Sequence, residues 1–111
     1  MENSQINSLT NSKNKCNDEI NKYGKALQTV KKINSELNDA KNSLSIILDD
    51  LNRAFKINGK TADGGKIKKI IADIDFQIKN VVFLIDIINK KIESLKRELK
   101  SINIQLTEMS F

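Results

Sequence analysis

Asp73 and Asp75, Asp49 and Asp50, the single thiol of Cys16, and Gly64-Gly65-Lys66 are the places in this chain where side-chain chemistry would begin. Paired carboxylates do acid–base work only when both reach one reacting atom and their environments pull their pKa values apart. On a helix, residues two apart face different sides, so Asp73 and Asp75 do not converge, and the adjacent Asp49 and Asp50 point apart. There is no histidine to move a proton near neutral pH, and one cysteine with scattered serines makes no nucleophile–base pair. Zinc needs about four nitrogen or sulfur ligands, which this composition does not offer. Gly64-Gly65-Lys66 lacks the GxxxxGK[ST] spacing and the preceding buried strand of a phosphate loop, and so reads as a turn. The chain is therefore expected to be no enzyme, with no cofactor and no metal.

Side chains with so little chemistry point to elements that work by packing. Ile67, Ile71, Ile74, Ile78, Val81, Ile85, Ile88, Ile92, Leu95, Leu99, Ile102, Leu106 and Met109 recur in strictly alternating steps of four and three. That is the heptad seam of a helix laid lengthwise on another helix. A partner seam runs back from Phe55 through Leu51, Leu48, Leu44, Lys41, Leu37, Asn34, Val30, Leu27, Tyr23, Ile20, Cys16, Lys13, Leu9 and Ile6. The fold class is all-α: two long antiparallel helices in a coiled-coil-like hairpin, over a single domain of residues 1–111. Helix 1 is placed at about 5–57, the turn at about 58–64 and helix 2 at about 65–108.

Opposing Phe55 to Ile67 predicts a register with Leu44 near Ile78, Leu37 near Ile85, Leu27 near Leu95 and Cys16 near Leu106. Residues before about Lys13 then overhang. The polar seam residues Asn34 and Lys41 cost stability but can select the register. No proline interrupts either helix, and three of the four glycines, Gly59, Gly64 and Gly65, crowd the middle. Gly59 suits a left-handed C-terminal position, and either Thr61 or Asp63 offers a side-chain oxygen to cap helix 2. Gly24 reads as a tolerated weak point within helix 1.

The net charge is +5, yet the lysines alternate with carboxylates such as Asp73, Glu93 and Glu98, as on a solvated helix face. No nucleic-acid partner is expected. No apolar run approaches the roughly 18–20 residues of a bilayer span, so no membrane span is expected. The opening residues lack the basic and apolar regions of a secretory signal. A cytoplasmic location is expected, with export, if any, by a signal-peptide-independent route. Cys16 falls on the seam and reads as a small buried hydrophobe, an intermolecular disulfide being the alternative.

A two-helix seam leaves apolar residues over. In helix 2, Val82, Phe83, Leu84 and Ile87 fall off it, and Phe76, Phe83 and Ile87 form a second stripe at i, i+7 and i+11. In helix 1, Ala26, Ile33, Ala40, Ile47 and Ala54 widen the seam on one side. Contiguous apolar surface of this kind marks a protein contact. The expected partner-binding residues are Phe76, Val82, Phe83, Leu84 and Ile87, with Ile33, Ala40 and Ile47.

The paired heptads, with Ile57-Asn58-Gly59 at the turn, give the chain its resemblance to the helical-hairpin proteins of the ESX/WXG superfamily of type VII secretion. At that turn the glycine of W-x-G is kept and Ile57 replaces the tryptophan. Within that group the chain is most similar to the helper proteins that accompany LXG toxins. The resemblance implies a chaperone or targeting partner that binds the helical N-terminal domain of a secreted toxin or effector, together with a second small helical protein or a second copy of itself. A self-assembling structural coiled coil and a small toxin-binding immunity protein are the alternative readings.

Overall fold

The computed structural model describes the backbone of residues 2–57 and 65–109 and the side chains of residues 3–54 and 65–109. It contains two helices, α1 (Glu2–Ile57) and α2 (Gly65–Met109), and no strand among the described residues. The fold is an all-α antiparallel helical hairpin. The side chain of Ile57, residues Asn58 and Gly59, and the cap candidates Thr61 and Asp63 lie outside the described residues, as does the side chain of Phe55.

The chain divides into two compact units. Unit 1 pairs the α1 segment up to Thr29 with the α2 segment from Ile85, and unit 2 is Val30–Leu84. In unit 1 the seam closes into a core in which Cys16, Ile88, Leu95 and Ile102 are buried. Leu9, Ile20, Tyr23, Leu99 and Leu106 pack around the Cys16, Leu95 and Ile102 cluster. Full burial of a leucine-sized side chain contributes about 1.5–3 kcal/mol, so a handful of such residues supplies most of what holds this unit. In unit 2 the seam residues Val30, Asn34, Leu37, Lys41, Leu44 and Leu48 on α1, and Ile67, Ile71, Ile74, Ile78 and Val81 on α2, are half-buried. None of its described residues is fully buried.

The residues that share this seam are those of the predicted heptad; their register differs from the expected one. Within unit 2, Lys41 Nζ lies 2.6 Å from Asp75 Oδ1, whereas opposing Phe55 to Ile67 would bring Lys41 level with Val81. Within unit 1, Cys16 clusters with Leu95 and Ile102, while Leu106 packs at the edge of that cluster. One groove is bordered by Ile20, Gly24 and Leu27 on α1 and by Asn89, Ile92 and Lys96 on α2, which fits the same offset. Both units are offset by about one heptad from the expected register. The physical reason is that a seam repeating every seven residues is equally apolar after a shift of seven, so periodicity alone cannot choose. The shift also removes the expected overhang. Ile6 and Lys13 are half-buried, Leu9 packs on the core, and Gln5, Ser8 and Leu9 border a groove with Gln105 and Met109.

Of the polar seam residues Asn34 and Lys41, Lys41 makes a cross-helix contact. Asn34 is engaged within α1, where Asn38 Nδ2 donates to its carbonyl at 2.9 Å. Gly24 has open space where a Cβ would stand.

Candidate interaction surface

Taking the seam residues as heptad positions a and d fixes where every other side chain points. In α1 the a positions include Lys41 and Leu48 and the d positions Cys16 and Leu44. In α2 the a positions include Ile71 and Ile78 and the d positions Ile74 and Ile88. In an antiparallel pair the g positions of both helices border one flank, the e positions border the other, and f points away from the seam. Unit 1 shows this directly. Ser12, Glu19 and Glu98, all at g, line one groove with Lys15 and Cys16. Gly24, Asn89 and Lys96, all at e, line another.

In unit 1 the g flank is polar. Burial pushes the Cys16 thiol up from its ordinary value of 9.0, and the negative charge of Glu98 and then Glu19 adds to the effect, as does a hydrogen bond with Glu98; Lys15 opposes it weakly. A thiol so placed stays protonated and unreactive. Among the described residues no group of three His, Cys, Asp or Glu is placed to hold a metal ion. Among them, too, no helix is long and apolar enough to cross a membrane.

Unit 2 is built differently. Among the described residues eleven large apolar side chains are exposed, and nine of them, Ile33, Ile46, Ile47, Leu51, Ile70, Phe76, Val82, Phe83 and Leu84, belong to this unit. Unit 1 carries the other two, Ile87 and Ile104. Phe76 and Phe83 are the most open of the aromatic residues described, at 61% and 66%, and both sit at f, on the back of α2. Val82 at e lies on the opposite flank from Leu84 at g. Ile33, Ala40 and Ile47 are also exposed, all at g on α1. By heptad position the expected partner-binding residues fall into sets, with Val82 at e and Ile87 at c. Phe76 and Phe83 face outward, while Ile33, Ala40, Ile47 and Leu84 line the g flank.

The g flank has a member that the sequence reading passed over. Ile70 is 48% exposed and completes the flank on α2, but it stands beside the seam residue Ile71 and is easily absorbed into it. Ile46, beside Ile47, and Ile104 were missed for similar reasons; each sits at f, and only a full heptad assignment separates them from the seam. The carboxylates behave as expected of solvated helix faces. Asp50 takes an ion pair from Arg53 at 2.9 Å, and Asp86 one from Lys90 at 3.0 Å, each within one helix turn.

Comparison with protein-family models, with curated proteins and with solved structures gives no match to this chain.

Proposed function

We propose that this chain is a non-enzymatic partner protein whose outward α2 surface packs on the helical domain of another protein. The client would be a toxin or effector exported by a type VII system, for which the chain serves as chaperone or targeting subunit. The observation that carries the reading is the contrast between the units: among the described residues, nine of the eleven large exposed apolar side chains lie in unit 2, and all four buried side chains lie in unit 1. Isolated apolar residues on a surface are ordinary, but two phenylalanines one heptad apart on the back of a helix form a stripe that a second helix can cover. The resemblance of the paired heptads and the Ile57-Asn58-Gly59 turn to the ESX/WXG helpers supplies the class of client.

The test is affinity purification of the tagged protein from its native host at about 0.5 M salt, where exposed charge contacts are largely screened. A stoichiometric larger protein with a helical N-terminal domain is the expected result. Phe83→Asp combined with Phe76→Asp should abolish its recovery while far-ultraviolet circular dichroism stays that of the parent. Recovery unchanged by the double substitution would remove this surface from consideration.

A further inference from the structure

Unit 1 keeps an opening between its helices on the e flank, and the residues around it specify a ligand. Ile20, Leu27 and Ile92 lie along a groove with a volume of about 600 Å³. Gly24 stands among them, and nothing approaches within 4 Å of the point where its Cβ would be. No neighbour requires a glycine there, and glycine weakens a helix interior relative to alanine. The side chain missing at Gly24 leaves room that a group from outside the hairpin can fill.

The rim is built from amides and ammonium groups. Asn21 and Gln28 on α1 and Asn89 on α2 border the groove, and their side chains hydrogen-bond to no described residue. Asn38, by contrast, is engaged with the carbonyl of Asn34. The b and e positions of α1 here read Asn14, Asn17, Asn21, Gly24 and Gln28, a row of amides with a single gap. Lys25 and Lys96 complete the rim, and neither is ion-paired with a described residue. No carboxylate lines this groove. The g flank of the same unit is acidic by contrast, with Glu19 and Glu98 beside Lys15 in its groove.

We infer that the e flank of unit 1 is a binding site for an extended, acidic segment of another protein, with one large apolar side chain seated over Gly24. A side-chain amide offers both a donor and an acceptor, which is what an unpaired peptide backbone requires. A helical ligand has its backbone groups already paired and would leave these amides unused. On α1 the groove runs from Ile20 to Gln28, about 12 Å at 1.5 Å per residue. That length holds about four residues of extended chain at roughly 3.3 Å each. The segment places its apolar anchor at Gly24 and carboxylates on either side, for Lys25 and Lys96 to meet. Glu19 and Glu98 repel the same segment from the g flank, so charge selects the side. Phe76 and Phe83 belong to unit 2 and take no part.

Selection from a random peptide library on the full chain tests this, at about 50 mM salt so that exposed charge contacts are retained. The expected result is a set of acidic sequences with one large apolar residue between the carboxylates. Gly24→Leu should weaken the selected peptide by about tenfold or more, because it fills the groove from within. The same variant should be no less stable than the parent in urea, since leucine is the better helix former and its Cβ meets nothing. Lys25→Glu with Lys96→Glu should weaken binding by a similar factor, Asn21→Ala with Asn89→Ala by less, and Phe76→Asp with Phe83→Asp not at all. Nuclear magnetic resonance of the bound peptide should show an extended backbone. Enrichment of neutral or basic sequences, or of none, overturns the inference. So does an acidic peptide that binds as a helix, or one that the Gly24→Leu chain holds as tightly as the parent.

Discussion

Cys16 shows how much one position on a narrow seam can carry. It is buried at 4% exposure among Leu95 and Ile102, and its thiol is pushed above its ordinary value of 9.0 by burial and by Glu98 and Glu19. Its folded pKa lies above its unfolded one, so its contribution to stability is fully present below about pH 9 and is lost as pH rises through the folded value. Urea denaturation at pH 7.5 and 9.5 should show a loss that Cys16→Ala reduces, and alkylation of Cys16 at pH 8 should be slow until urea is added. Leu95, at 3% exposure, has the most to lose. Leu95→Ala should destabilise the protein by about 2–5 kcal/mol in urea titrations, through lost transfer energy and the cavity left behind. Gly24→Ala meets nothing within 4 Å and removes backbone freedom from the unfolded chain, so it should stabilise by about 0.5–1 kcal/mol.

Along the helices, the heptad made both elements and their seam residues from Ile6 to Leu48 and from Ile67 to Met109 legible, because alternating steps of four and three are a direct image of one helix face. Ile67 through Met109 and Ile6 through Leu48 are the residues withdrawn from solvent, with Leu51 left exposed at 36%. The axial register was not legible, since a seven-residue repeat looks the same one step along. Lys41 and Asp75 distinguish the true setting, and Asp75 lies off the seam, where a search for apolar periodicity does not look. Their side chains are 37% and 43% exposed, so the pair is worth only about 0.2–1 kcal/mol; its importance is selective rather than energetic. Asp75→Ala should accordingly cost little in urea, while distances between spin labels at Asn38 and Lys79 should broaden as the neighbouring register becomes accessible. The partner surface was legible only as a set of leftover apolar residues. Its separation into an outward stripe at f and a flank at g needs the heptad and the pairing of the helices together.

Across the molecule, stability and stickiness are kept apart. All four buried side chains among the described residues belong to unit 1, and most exposed apolar ones to unit 2. Amide hydrogen exchange should reflect this, with protection higher in residues 9–27 and 88–106 than in residues 30–50 and 67–84 of the isolated chain. A bound client should raise protection in the latter segments. The placement of the firm unit also has a mechanical consequence. Gln5 and Gln105 border the same groove, so handles attached at these two residues would start side by side. Pulling them apart peels the two strands of the hairpin rather than sliding one along the other, and the rupture front meets the Cys16, Leu95 and Ile102 layers first. Force should peak early and fall once those layers part, and a chain gripped at its ends would resist opening until it gave way in a single yield.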